Sequence, residues 1–244
     1  MKTVLITGAS GGIGLALTKE YIKNGYFVCG QYFKNEKSLL ALKEELKKEN
    51  LSDYLFIVKA DLSTDRGVEK LYKTVEKNFN SISVLINNAG QDLYKLCQET
   101  TDKELEEIVS VNFKASYNLT KLVLPSMISK ENGNVIFISS VWGTNGACME
   151  TAYSATKSAL IGLTKALAKE VAPFVRVNCI TPGVIDTPMN ACFTKEEMQE
   201  VISSVPLKRV GLPEEVASLC SYLTSEKASY ITGAIIPIDG GYSL

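Results

Sequence analysis

The sequence predicts an α/β protein built on a doubly wound parallel sheet of about seven strands, with helices on both faces. Three observations carry this. Short apolar runs of strand length alternate with longer helical patterns along the 244 residues. The first run, Val4-Leu5-Ile6, leads through a glycine-rich turn into a helical pattern, Leu15-Ala16-Leu17 to Tyr21-Ile22. No repeat, low-complexity tract or linker divides the chain, so residues 1–244 are expected to form one domain, a size that α/β folds commonly reach.

Taken in order, strands are expected at 3–7, 27–32, 55–60, 83–87, 134–139, 175–180 and 234–238, with helical patterns between them. Right-handed crossovers and a ligand crevice at the carboxyl ends of the strands follow as general rules. One stretch, about 186–213, breaks the alternation. Within it Thr194-Lys195-Glu196-Glu197 has the pattern of a capped helix start.

Composition narrows the chemistry. The formal net charge is −1 and no block of lysine and arginine stands out, so neither DNA nor RNA is an expected partner. The first strand begins at once, without a charged leader or long apolar span, and the expectation is a cytoplasmic protein without membrane contact. The chain contains no histidine. Every histidine-dependent triad is thereby excluded, as is a mixed Cys/His zinc site, and no metal is expected. Six cysteines lack Cys-x-x-Cys spacing and read mainly as small core residues; Cys148 and Cys192 lie in segments expected to border a substrate.

Acid–base chemistry must then come from Tyr, Lys, Asp, Glu or Cys. Tyr153 and Lys157 are four apart, on one face of a helix if 153–171 is helical. A phenol has an ordinary pKa of about 10, and a neighbouring ammonium favours its ionised form. Ser140 ends the strand Ile136-Phe137-Ile138-Ser139-Ser140, and Asn112 lies upstream. Bland readings stand beside these: a lysine facing solvent, a serine that merely ends a strand, an asparagine that caps or kinks a helix.

The glycine turn, Thr7-Gly8-Ala9-Ser10-Gly11-Gly12-Ile13-Gly14, permits close backbone approach and presents the N–H groups of a helix start to a dinucleotide pyrophosphate. Its Gly8-x-x-x-Gly12-x-Gly14 spacing departs from G-x-G-x-x-G. With Asn87-Asn88-Ala89-Gly90 after Val84-Leu85-Ile86, Asn112, Ser140, Tyr153-x-x-x-Lys157, Pro182-Gly183 and the terminal Asp239-Gly240-Gly241, the chain resembles the short-chain dehydrogenase/reductase family over nearly its whole length. The resemblance implies a Rossmann-type fold, a nicotinamide dinucleotide and no metal. It assigns cofactor contacts to Gly8, Ser10, Gly11, Gly12, Ile13, Gly14, Tyr32, Lys34, Asp61, Leu62, Asn88, Ala89, Gly90, Tyr153, Lys157, Pro182, Gly183, Ile185 and Thr187. It also implies that Tyr153 protonates a ketone oxygen, Ser140 orients it, Lys157 lowers the phenol's pKa, Asn112 anchors a relay water, and residues 186–213 cover the substrate. A homotetramer is the association expected by resemblance, and small residues such as Ala155, Ala159, Gly162 and Ala166 would permit close helix contact.

The second strand ends in Gln31-Tyr32-Phe33-Lys34-Asn35, with no carboxylate to bind a ribose 2′-hydroxyl, while Lys34 can neutralise a 2′-phosphate. NADPH is therefore expected, with NADH as the alternative; Lys34 as a plain solvated residue is the bland reading, and Gly11 stands where many NADPH-dependent relatives carry arginine. The nearest resemblance inside the family is to 3-oxoacyl-acyl-carrier-protein reductases, which implies a carrier-protein-attached or small-molecule ketone. Where those enzymes meet an acidic carrier with basic residues, this chain has Lys130-Glu131-Asn132 and Ala172-Pro173-Phe174. Glu150 and Trp142 flank the expected substrate path, and a carboxylate beside an aromatic face suits a cation. A related branch with Ser-Trp-Gly and Glu-x-x-Tyr patterns reduces the aminopentanone-modified lysine of elongation factor P. The rival from another class is a dinucleotide-binding sensor without turnover.

Overall fold

The structure is a computed structural model that describes residues 2–192 and 194–244; the side chains of Ala191 and Cys192 lie outside the described residues, and with them the reading of Cys192. In chain order the main elements are β1 (Thr3–Ile6), α1 (Gly12–Lys23), β2 (Phe27–Tyr32), α2 (Lys37–Lys47), β3 (Leu55–Lys59), α3 (Asp65–Asn78), β4 (Val84–Asn87), α4 (Asp102–Val109), α5 (Ala115–Ser129), β5 (Gly133–Ile138), α6 (Trp142–Asn145), α7 (Thr151–Glu170), β6 (Val175–Pro182), α8 (Lys195–Ser204), α9 (Pro213–Thr224) and β7 (Ile235–Ile238). The seven expected strands all form, and β6 runs on to Pro182.

The strands lie in the order β3-β2-β1-β4-β5-β6-β7, and every neighbouring pair is parallel. Period-2 alternation along each strand divides the core in two. Leu5, Leu85, Phe137, Val177 and Cys179 face Leu71 of α3, Leu119 and Val123 of α5, and Leu160 and Leu167 of α7. Val4, Ile6, Val28, Ile86, Ile136 and Ile180 face Leu17 and Tyr21 of α1, Leu39 and Leu46 of α2, and Val216 and Cys220 of α9. Each fully buried Leu, Ile or Val stabilises the fold by roughly 1.5–3 kcal/mol. A sheet covered on both faces needs these near-continuous apolar runs.

This order places the site. From β1 the chain moves outward to β2 and β3, then returns to β4 on the other side of β1. The crossovers diverge there, leaving a crevice beyond the carboxyl ends of β1 and β4. Of the 186–213 segment expected to break the alternation, Thr187, Pro188, Met189 and Asn190 border that crevice. The segment's helix α8 begins as expected, with Thr194 and Glu197 forming a reciprocal capping box: Glu197 N–H donates to Thr194 Oγ1 (3.2 Å) and Thr194 N–H to Glu197 Oε2 (2.8 Å). Among the described residues no helix is long and apolar enough to cross a membrane.

Candidate active site

A cavity of about 700 Å³ opens at the crevice. Its floor is the glycine turn, from Gly8 and Ser10 through Gly11, Gly12, Ile13 and Gly14. Gly8 adopts φ +64°, and a Cβ on Gly14 would sit 2.1 Å from the Gly8 carbonyl oxygen, so both positions demand glycine. The N-cap of α1 is Gly11, with no side chain to satisfy the first-turn N–H groups. Those donors open on the cavity, the arrangement that receives an anion at a helix N-terminus. Gln31 braces the turn: its Oε1 accepts from Gly8 N–H (2.8 Å), and its Nε2 donates to the Ala60 carbonyl (2.8 Å).

Beyond the turn the wall includes Lys34, Asp61, Leu62, Asn88, Ala89 and Gly90, then Pro182, Gly183, Ile185 and Thr187. Lys34 makes no ion pair among the described residues and lies 5.9 Å from the Phe33 ring centroid. Asp61 also caps a turn, accepting from Ser63 N–H (3.0 Å) and Ser63 Oγ (2.7 Å). Tyr32 is not in the wall. Its ring is buried and its hydroxyl donates to Glu36 (2.5 Å), because alternation along β2 turns it from the cavity that Gln31 and Phe33 line.

At the other end Ser140, Tyr153 and Lys157 come together in the same wall. Ser140 follows β5, while Tyr153 and Lys157 are one turn apart on α7 and both buried. Lys157 Nζ lies 5.5 Å from the Tyr153 ring centroid and donates to the Ile138 carbonyl (2.9 Å). Asn112 is outside the cavity wall, fully buried in a π-helical turn, Ser110–Lys114, that joins α4 to α5. Its amide holds both backbone groups of Gln91, accepting from the N–H and donating to the carbonyl at 2.9 Å each, and also donates to Thr156 Oγ1 (3.2 Å). A Cβ on Gly90 would lie 3.2 Å from Lys157 Nζ and 3.5 Å from Asn112 Oδ1, so this glycine lets the two approach the same backbone.

The electrostatics differ from the simple expectation. Burial holds the Tyr153 phenol well above the ordinary tyrosine value; the hydrogen bond with Ser140 opposes this, and Glu150 and Asp92 add to it. Burial also brings Lys157 down to about 8, with Cys179 acting in the other direction. The phenol is thus raised rather than lowered in the protein as it stands, because desolvation is the largest cause at both groups and acts against the charged form of each.

Trp142 and Glu150 lie outside the cavity wall. Trp142 packs edge-to-face on Tyr242, centroids 5.3 Å apart at 79°, while its main-chain N–H donates to Ser140 Oγ (3.2 Å). Glu150 is half-buried at the start of α7, where burial first, and Asp92 second, push its carboxyl up to about 7. Asp92 does line the cavity, and burial raises its carboxyl too. The chain segments carrying these two residues are joined by an isolated parallel backbone bridge at Lys95 and Glu150, with Lys95 N–H donating to the Met149 carbonyl (2.6 Å).

The family model for short chain dehydrogenases matches residues 2–198. The chain belongs to the short-chain dehydrogenase/reductase family. It is also similar to an uncharacterized oxidoreductase, YmfI, of Bacillus subtilis, 37% identical over 99% of this chain and 98% of that protein. The 3-oxoacyl-[acyl-carrier-protein] reductase FabG of Thermotoga maritima is 37% identical over 98% of this chain and 97% of its own. Nodulation protein G of Azospirillum brasilense is 34% identical over 98% and 97% respectively. As an oxidoreductase of the short-chain dehydrogenase/reductase family, the chain carries further cavity residues that sequence reading did not single out: Gln31, Phe33, Asp92 and Glu107. Asp92 follows the Asn-Asn-Ala-Gly run by two residues, but nothing in its neighbours signals Glu150. Of the cysteines, Cys29, Cys179 and Cys220 are buried, whereas Cys97 and Cys148 are exposed.

Proposed function

We propose that this short-chain dehydrogenase/reductase reduces a ketone to a secondary alcohol with NADPH. The observation that carries the reading is that Ser140, Tyr153 and Lys157 share one cavity with an uncapped, glycine-lined helix start. The cradle fits a dinucleotide: first-turn N–H donors without a side-chain cap face the cavity, Gly11 meets no side chain while Thr187 lies against Gly12, and among the described residues Lys34 has no ion-pair partner to compete with a 2′-phosphate. When bound, the dinucleotide supplies the hydride that reduces the carbonyl carbon.

The chain's own residues then handle the oxygen. A hydroxyl has one proton and two lone pairs. The Trp142 main-chain N–H takes one lone pair of Ser140 Oγ, and Ser140 is also hydrogen-bonded with Tyr153, so the serine proton turns from the phenol to hold the ketone oxygen. Tyr153, kept protonated by burial, gives its phenolic proton to that oxygen as negative charge develops there. Lys157, at about 8, can lose and regain a proton near neutral pH, and Asn112 keeps one Oδ1 lone pair for a water leading towards it. The same reading carries one catalytic domain over 1–244, with 186–213 covering the substrate, and a homotetramer in which the exposed faces of α7 at Ala155, Gly162 and Ala166 admit a neighbouring helix.

Two substrate readings follow. Similarity to 3-oxoacyl-[acyl-carrier-protein] reductases supports a 3-oxoacyl thioester. Asp92 and Glu150, neither carboxylate hydrogen-bonded or ion-paired among the described residues, favour a ketone bearing a positive charge, such as the aminopentanone-modified lysine of elongation factor P. Initial rates with acetoacetyl-carrier protein and with a free-amine aminoketone, each with NADPH and NADH at fixed ionic strength, separate them. Preference for the thioester sinks the cationic reading; preference for the aminoketone sinks the carrier reading; equal rates with both cofactors sink the assignment of Lys34.

A further inference from the structure

The C-terminal Asp239-Gly240-Gly241 run closes a tight turn. Asp239 accepts from Gly241 N–H at Oδ1 (2.9 Å) and from Ser243 N–H at Oδ2 (2.9 Å), while Gly240 and Gly241 take φ of +65° and +88°. Left-handed backbone at two successive positions is affordable only for glycine. The turn does more than end the chain. On one side it is pressed against the segment that follows α8: Leu207 N–H donates to the Gly240 carbonyl (3.1 Å), and a Cβ on Gly240 would fall 2.7 Å from Val205 Cγ1. On the other side it projects Tyr242 edge-to-face against Trp142.

Trp142 is the first residue of α6, and its main-chain N–H donates to Ser140 Oγ. A continuous path therefore runs from the base of the covering helix, through the glycine turn and the Tyr242 ring, to the hydroxyl that meets the substrate oxygen. We infer that Tyr242 is a positioning residue: its ring seats the Trp142 indole and with it the backbone at the start of α6, whose main-chain N–H fixes the orientation of Ser140, so that this orientation is tied to the seating of α8. The inference rests on the reductase reading of the site. It needs Tyr242 only as an aromatic ring, since no hydrogen bond of its hydroxyl enters the path.

Trp142 is the sole tryptophan of the chain, so its emission reports the contact directly. Tyr242→Leu keeps apolar bulk and removes the ring; Tyr242→Phe keeps the ring. For Tyr242→Leu we expect red-shifted, more readily quenched tryptophan emission and a fall in kcat of about tenfold with the better of the two ketone probes, since small misplacement near reacting groups costs rate steeply. The dissociation constant for NADPH should change less than about twofold, because the glycine turn of the cavity is untouched. Tyr242→Phe should restore both emission and kcat. Altered emission with unchanged kcat, a Phe variant that does not rescue, or cofactor affinity falling in step with kcat would each overturn the positioning role. No ketone-dependent oxidation of NADPH or NADH by the parent protein would instead overturn the reductase reading, and the inference with it.

Discussion

The two ends of the cavity are built on different principles. At the glycine end, recognition is a property of the backbone: Gly8, Gly12 and Gly14 shape one turn between consecutive elements, and the N–H donors come with the start of α1. At the reacting end, side chains from β5, α7, the π-turn and the 91–95 segment meet across large sequence separations, as in the bonds of Asn112 with Gln91 and Thr156. The charges differ as well, with Lys34, which has no ion-pair partner among the described residues, in the wall near the first end, and the carboxyl groups of Asp92 and Glu150 at the second. A local backbone device tolerates little variation, whereas an assembled side-chain site can be retuned one residue at a time. That contrast is one way a single fold can host many chemistries.

The sharpest break in the comparison is at the reacting end. Tyr153→Phe removes the proton donor but keeps the ring, and kcat should fall about a thousandfold while NADPH affinity holds, read by single-turnover kinetics and a fluorescence titration. Retained turnover would end the role of Tyr153; lost turnover with retained binding would also dismiss a non-catalytic sensor. At the glycine end, Lys34→Ala should cut the NADPH-over-NADH preference about tenfold, in kcat/KM, and flatten its dependence on salt. An unchanged ratio would make Lys34 a solvated surface residue.

A smaller effect tests the carboxylate pair. With Glu150 held up to about 7, its charge develops as pH rises through that value, so preference for an aminoketone over a neutral ketone should grow several-fold from pH 6 to pH 8. Glu150→Gln should flatten the profile. The sign for stability is opposite. A carboxyl raised from 4.5 to about 7 keeps its proton in the folded state longer than in the unfolded one, so its contribution is full below 4.5 and is lost as pH rises towards 7. Thermal melts of parent and Gln variant across that window check it; parallel curves would deny the raised value.

Much of this was legible beforehand, and for a physical reason. Strands buried on both faces announce themselves as apolar runs, Thr194 and Glu197 announce a helix start three residues apart, and the glycine turn is a contiguous string. Tyr153 and Lys157 were legible because four residues make one helical turn. Tyr32 was misplaced because the turn of one residue on a strand swaps faces, and only the packed sheet says that Gln31 and Phe33 face the cavity.

What the sequence determined by itself is therefore the class of fold, the order of its elements and the residue types of the chemistry, all of which depend on short-range periodicity and spacing. Tertiary structure alone decided that Asp92 is near enough to raise the Glu150 carboxyl, that Tyr242 reaches Trp142, and that burial raises the Tyr153 phenol. Those facts depend on distances between segments far apart in the chain and on how much water each group has lost, neither of which is written in any local run of residues.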